Sequence, residues 1–262
     1  MNRAICVNTW RQFKSNNVRL ILLTLLILAP LAHFTWRRCT YEYDLMEDMI
    51  SYPFVASLFA LIWGVGVISC ERQHGTISLV LARPLTVSRY VLSKWFAVGF
   101  AASLCSLQCL FVEHAVSVIL HPPLLSNLDF VANGLERVIL AFGTASMLIF
   151  YSSLVTGLKD LALIVGTLFA GMVGMQFLRP ILISEVCMRG AGTAGQQFMT
   201  HLTNVVGSGF AVFFFPNIPV SEILNGSSAI FTSTINFVCV VTVCLSLAIF
   251  FLSRKEFSYG QD

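Results

Sequence analysis

Apolar runs and short polar connections alternate along most of this chain. The first run spans Val18–Phe34 (VRLILLTLLILAPLAHF), and others follow at about 53–70, 95–120, 138–157, 161–178 and 229–252. Each comes near the roughly 20 residues that a helix needs to cross a bilayer. In hydrocarbon the backbone must close its own hydrogen bonds, so each run is predicted to be a helix. The first follows a polar lead and lacks a small-x-small cleavage site, which marks a retained anchor rather than a signal peptide. An all-α integral membrane protein with six transmembrane helices is the resulting expectation.

Two stretches depart from this rhythm. Over residues 1–17, Ile5, Thr9 and Phe13 recur on one helical face with Cys6 and Trp10 beside them, while Arg3, Arg11 and Lys14 lie opposite. That pattern predicts an amphipathic helix in the membrane interface, its basic face toward headgroups. Between the fifth and sixth runs, residues 183–228 form a long outer segment. Within it His201–Phe215 (HLTNVVGSGFAVFFF) is apolar but short, carries Gly207 and Gly209, and stops at Pro216. A re-entrant segment is predicted there, since irregular backbone at membrane depth is tolerated when protein or water covers it.

Composition supports the membrane reading. Of 262 residues 56% are hydrophobic and 11% charged, against about 25% charged in a soluble domain. The six runs leave no room for a further soluble domain of about 100 residues, so 1–262 reads as one transmembrane domain. Placing the N-terminus inside puts Arg3, Arg11, Lys14, Arg19, Arg72, Arg83, Arg89, Lys94, Lys159, Arg254 and Lys255 in cytoplasmic segments. The outer segments then hold Arg37, Arg38, Arg137, Arg179 and Arg189, so eleven basic residues face five. This is the positive-inside bias, and it predicts that both termini are cytoplasmic.

The one sizeable inner connection is 71–94, ERQHGTISLVLARPLTVSRYVLSK. Gly75-Thr76 can open a helix with Thr76 as cap. The apolar ISLVLA that follows is far too short to span. Arg83-Pro84 ends it, because a residue before proline is steered away from helix, and Arg89 and Lys94 mark re-entry at headgroup level. A short helix lying under the membrane, resting on lipid or filling a groove on a partner, fits these residues.

This segment resembles the signature of the type-2 ABC transporter permeases, in which a Glu and a Gly-Thr precede an apolar stretch, an Arg-Pro, another basic residue and a Lys. The matching positions are Glu71, Gly75, Thr76, Arg83, Pro84, Arg89 and Lys94. The interfacial N-terminal helix, the six spans, the short inner turn Leu158-Lys159-Asp160 and the long outer segment are similar too. The resemblance implies a permease that dimerises with an identical or homologous copy and sits on two ATP-binding cassette subunits. Residues 71–89 would be the coupling helix, its Leu79 and Leu81 docked in a cassette groove, with Lys159 and Asp160 at a second, smaller contact. ATP and Mg would be bound by that cassette, and this chain would bind no cofactor and have no enzymatic activity of its own. A bacterial cytoplasmic membrane location and an exporter's direction of transport are implied as well.

Other constellations carry less. The chain has no GxxxxGK[ST] phosphate loop. The GxGxxG at Gly190, Gly192 and Gly195 lies in an outer loop without the strand and helix that a dinucleotide site needs. Five histidines show no zinc spacing such as HExxH, so neither a metal site nor a nucleic-acid partner is predicted. Glu113 and His114 form an acid–base pair inside an apolar run, where ionisable residues tend to face a cavity or a partner. They are candidates for a substrate path, or simply reach interfacial water at the helix's outer end. An integral membrane enzyme using them, or an ion-coupled carrier, is the competing reading. Cys39 and Cys187 fall in outer loops where a bridge can form. Gly64 and Gly66, and Ala170 with Gly174, read as points of close helix approach.

Overall fold

The structure is a computed structural model, and it describes residues 2–14, 16–40, 55–75, 77, 86–120, 127–156, 159–167, 216–220, 224 and 230–256. All regular structure among them is helical: α1 (Arg3–Lys14), α2 (Asn17–Thr40), α3 (Val55–Gly64), α4 (Ser69–Gln73), α5 (Val87–Leu120), α6 (Asn127–Leu154), α7 (159–167) and α8 (Ile230–Glu256). Among the described residues four segments are long and apolar enough to cross a membrane: Val55–Gln73, Val87–Ala115, Leu128–Leu154 and Phe231–Arg254. The protein is therefore membrane-like in character. The first predicted span falls within α2, and of the fifth only the part in α7 lies among the described residues.

α6 is the central helix, with α3, α5 and α8 packed around it. Within their spanning windows 72% of α6 is buried but only 22% of α8, so α8 is a peripheral element. Chain direction alternates. Ser57 meets Thr144, Gly64 meets Leu148 and Ser69 meets Ser152, so α3–α4 run parallel to α6. Arg137 meets Glu113 while Trp95 meets the Phe142 carbonyl, so α5 runs antiparallel to both. One end of the bundle thus gathers α1, the start of α2, α4, the start of α5, the end of α6, the start of α7 and the end of α8. There Ile5, Phe13, Val67, Ile68, Tyr90, Val91 and Leu252 share one apolar cluster.

Small residues hold the bundle together. Lipid tails are as apolar as leucine, so helices associate through close packing and interhelical hydrogen bonds rather than by expelling water. Ala56, Ala60, Ala102, Ala141 and Ala145 are all fully buried. The Gly99 backbone lies so near the Phe142 ring that a Cβ there would stand 2.5 Å from Cδ1. The Ser57 and Thr144 hydroxyls bond across α3 and α6 at 3.0 Å. Ser103, Ser146 and Ser153 return their hydroxyls to carbonyls of their own helix, which leaves those polar groups satisfied.

Two helix starts differ from the hydropathy boundaries. α5 begins at Val87, not near 95, and α6 begins at Asn127, not near 138. At 1.5 Å per residue the 34 residues of α5 extend about 51 Å, well beyond a hydrocarbon core of about 30 Å. Polar residues expected in connections therefore sit within helices, Lys94 in α5 and Arg137 in α6. α1 is a helix with the expected faces, Arg3, Arg11 and Lys14 exposed and Ile5, Cys6, Thr9 and Phe13 buried. Its apolar face, however, is covered by this chain rather than by lipid. The Asn2 amide donates to Ser93 Oγ at 2.9 Å, Trp10 Nε1 donates to the Ala97 carbonyl at 3.0 Å, and Phe13 packs on Trp63 with ring centroids 4.6 Å apart.

Candidate functional site

The run predicted as one helix over 53–70 is interrupted. α3 ends at Gly64, Gly66 takes a φ of +76°, and α4 starts at Ser69. Glycine adopts that left-handed conformation at little cost, whereas a Cβ would be strained there. Gly66 therefore serves the backbone's turn. Gly64 serves close packing, since a Cβ on it would lie 2.7 Å from Leu148 Cδ1 of α6.

Breaking a helix at this depth frees backbone groups that need partners. Side chains from other elements supply them. Asp160 Oδ2, at the start of α7, accepts from the Gly66 amide at 2.7 Å and from Ser69 Oγ at 2.7 Å. Ser152 Oγ, near the end of α6, accepts from the Ile68 and Ser69 amides, each at 3.0 Å. Arg19 of α2 donates to the Val65 carbonyl at 2.7 Å. Asp160, Ser69 and Ser152 are wholly buried. The break is thus held by three separate elements at once.

α4 carries Glu71, and its carboxylate turns inward. Glu71 Oε1 receives Lys94 Nζ at 2.6 Å and Glu71 Oε2 receives the Tyr90 hydroxyl at 2.5 Å. Lys94 is 1% exposed and Glu71 6%. Arg72 on the next position donates to the Ser153 and Val155 carbonyls at 2.9 and 3.4 Å, closing the exposed end of α6. α4 ends with the His74 and Gly75 amides bonded back to Cys70 and Arg72, Gly75 taking a φ of +68° as a helix-terminating glycine does. The structure thus brings Glu71 and Lys94, 23 residues apart, into a buried ion pair.

Of the other residues predicted for this segment, Arg89 lies in the first turn of α5, while Thr76, Leu79, Leu81, Arg83 and Pro84 lie outside the described residues. Lys159 opens α7 beside Asp160, whose carboxylate is engaged inside the chain rather than offered outward. Cys6 belongs to this end as well. Its thiol lies 3.4 Å from the Ser93 carbonyl, and burial pushes its pKa up from the ordinary value.

Near the opposite end of α5, Glu113 does not stand in interfacial water. Its carboxylate pairs with Arg137 Nη2 of α6 at 2.6 Å, Arg137 also reaches the Ser106 carbonyl at 3.3 Å, and Cys109 Sγ lies 3.3 Å from Glu113 Oε1. Arg137 is 2% exposed. His114, the expected companion, instead packs against Phe130 in a tilted arrangement with ring centroids 4.7 Å apart. Among the described residues no group of His, Cys, Asp and Glu is placed to hold a metal ion. Cys187 and the Cys39 side chain lie outside the described residues, as do Ala170 and Gly174, the GxGxxG loop and His201–Phe215. The short coil 216–219 is described, and Pro216 lies against Gly143, near the middle of α6.

Sequence reasoning passed over Arg19, Ser69, Tyr90, Ser152 and Arg137. The visible signal for Arg19, Ser69 and Ser152 was a Gly-x-Gly inside an apolar run, which asks for donors and acceptors from elsewhere.

Compared with known proteins, the chain matches no protein-family model, no curated protein and no solved structure.

Proposed function

We propose that this chain is the membrane-spanning permease subunit of an ABC transporter, driven by a separate ATP-binding cassette subunit. The observation that carries the reading is the buried Glu71–Lys94 pair. It clamps together the two ends of the one segment whose Glu, Gly-Thr, Arg-Pro, Arg and Lys resemble the permease signature. The segment between them is thereby anchored to the bundle at both ends, suited to take a push from a partner and pass it to α3 and α5. Glu71 and Lys94 act by fixing those two ends, and the apolar stretch with Leu79 and Leu81 is the part that docks.

The chain's layout is compatible with this. α1, α4 and the end of α8 share one end of the bundle, and Arg3, Arg11, Lys14, Arg72, Arg89 and Arg254 belong to elements that meet there. Read as the positive-inside end, it is cytoplasmic, and the chain has six spans with both termini inside. The coil at Pro216, reaching the middle of α6, supports a re-entrant outer segment before the last span. In this reading two cassettes and a second permease copy complete the assembly in a bacterial cytoplasmic membrane, ATP and Mg sit on the cassettes, and the direction of transport is export.

The deciding experiment is a pull-down of a cassette ATPase with wild type and with Leu81→Asp. An unpaired carboxylate forced into an apolar contact costs several kcal/mol, so recovery should fall by about a hundredfold or more. Unchanged recovery, or a native complex free of any ATPase, refutes the reading.

A further inference from the structure

We propose that the break between α3 and α4 is a latched hinge, with Asp160 as the latch that makes α4, the end of α6 and the start of α7 move as one unit. Three observations carry this. The helical ladder is interrupted at Gly66, whose φ of +76° ends one helix and allows the next to set off separately. The groups freed there are met by side chains of α2, α6 and α7, so the break is held from outside α3 and α4. Finally, α4 and the break before it are joined to the start of α7 by Asp160, through Gly66 and Ser69, and to the end of α6 by Arg72, through the Ser153 and Val155 carbonyls.

Asp160 is a positioning residue in this arrangement. Its Oδ2 takes two donors and its Oδ1 takes the Leu161 amide at 2.8 Å, so both oxygens serve as acceptors. An amide at this position would have to turn an N–H toward one of those donors. A rigid helix would pass any displacement of α4 straight into α3. A latched break instead passes it sideways, to the end of α6 and the start of α7, while the latch holds. The consequence for transport rests on the permease reading, in which the two inner segments would answer to the cassette together rather than separately. The latch itself does not depend on that reading.

Hydrogen–deuterium exchange on the full chain in lipid nanodiscs tests it, with no ATPase present. The Cys70, Arg72, His74 and Gly75 amides are bonded within the break and α4 rather than to Asp160. Loss of one charge-assisted hydrogen bond corresponds to about 10- to 100-fold in an opening equilibrium. Asp160→Asn should therefore speed exchange by that factor throughout residues 66–75 as one block. Ser152→Ala, which removes the acceptor for Ile68 and Ser69, should release the same block and serves if the first variant does not fold. Acceleration confined to the amides that the altered residue itself accepts from overturns the proposal, and so does an even acceleration over α3, α5 and α6. The Leu81→Asp pull-down reports on the permease reading alone, so the two can fail independently.

Discussion

Replacing Lys94 by Met removes the cation from the Glu71 pair and keeps the length of the side chain. The two charged atoms stand 2.6 Å apart with 1% and 7% of their side chains exposed. At that distance, with an effective dielectric of about 20, their attraction is about 6 kcal/mol. Much of it is offset by the desolvation of both ions, so the intact pair is worth far less than its Coulomb energy. Removing one partner is different, because the Glu71 carboxylate stays buried without its cation. The expected loss is about 3–5 kcal/mol, a large share of the roughly 5–15 kcal/mol that holds a typical folded chain. Glu71→Leu should be comparably harmful, since it strands the ammonium. The double variant Glu71→Leu/Lys94→Met should recover most of the loss, as two apolar side chains of similar volume can replace a buried pair. Equilibrium unfolding in mixed micelles on wild type, both single variants and the double variant forms a closed cycle. A Lys94→Met loss under about 1 kcal/mol, or single losses that simply add in the double variant, refutes the buried-pair reasoning.

Two glycine comparisons follow. Gly66→Ala combines the left-handed backbone penalty with a Cβ 2.8 Å from Cys70 Sγ, whereas Gly75 has a similar φ but no described residue within 4 Å of its Cβ position. The first should cost about 2–4 kcal/mol and the second about 1–2 in the same unfolding assay, and equal losses would contradict the crowding at the break. Gly99→Ala drives a methyl into the Phe142 ring and should cost about 1–3 kcal/mol, while Gly166→Ala, with nothing within 4 Å, should be neutral or slightly stabilising. A neutral Gly99→Ala would mean that α5 and α6 lie further apart than described.

Helix as the regular structure of the described residues was legible from residue order alone, and so was the approximate position of α2, α3, α5, α6 and α8. Hydropathy sees this because a helix in lipid satisfies its backbone locally, whatever its neighbours are. The amphipathic pattern of α1 was equally local, down to its buried Ile5, Thr9 and Phe13. What covers that face was not local: Ser93 and Ala97 of α5 receive it. Glu71 and Lys94 stood out by resemblance, but their contact did not, because it joins residues 23 positions apart. Gly66 read as a packing glycine, since a sequence does not display a dihedral angle.

The early starts of α5 and α6 were invisible for one reason. Hydropathy counts Lys94 and Arg137 as unpaired charges and starts the apolar run after them, yet Glu71 and Glu113 neutralise them inside the bundle. Residue order alone determined the helices, because their hydrogen bonds close within a few residues. Only the tertiary structure decided where one of them breaks and which charges lie within them, because the compensating groups come from distant parts of the chain.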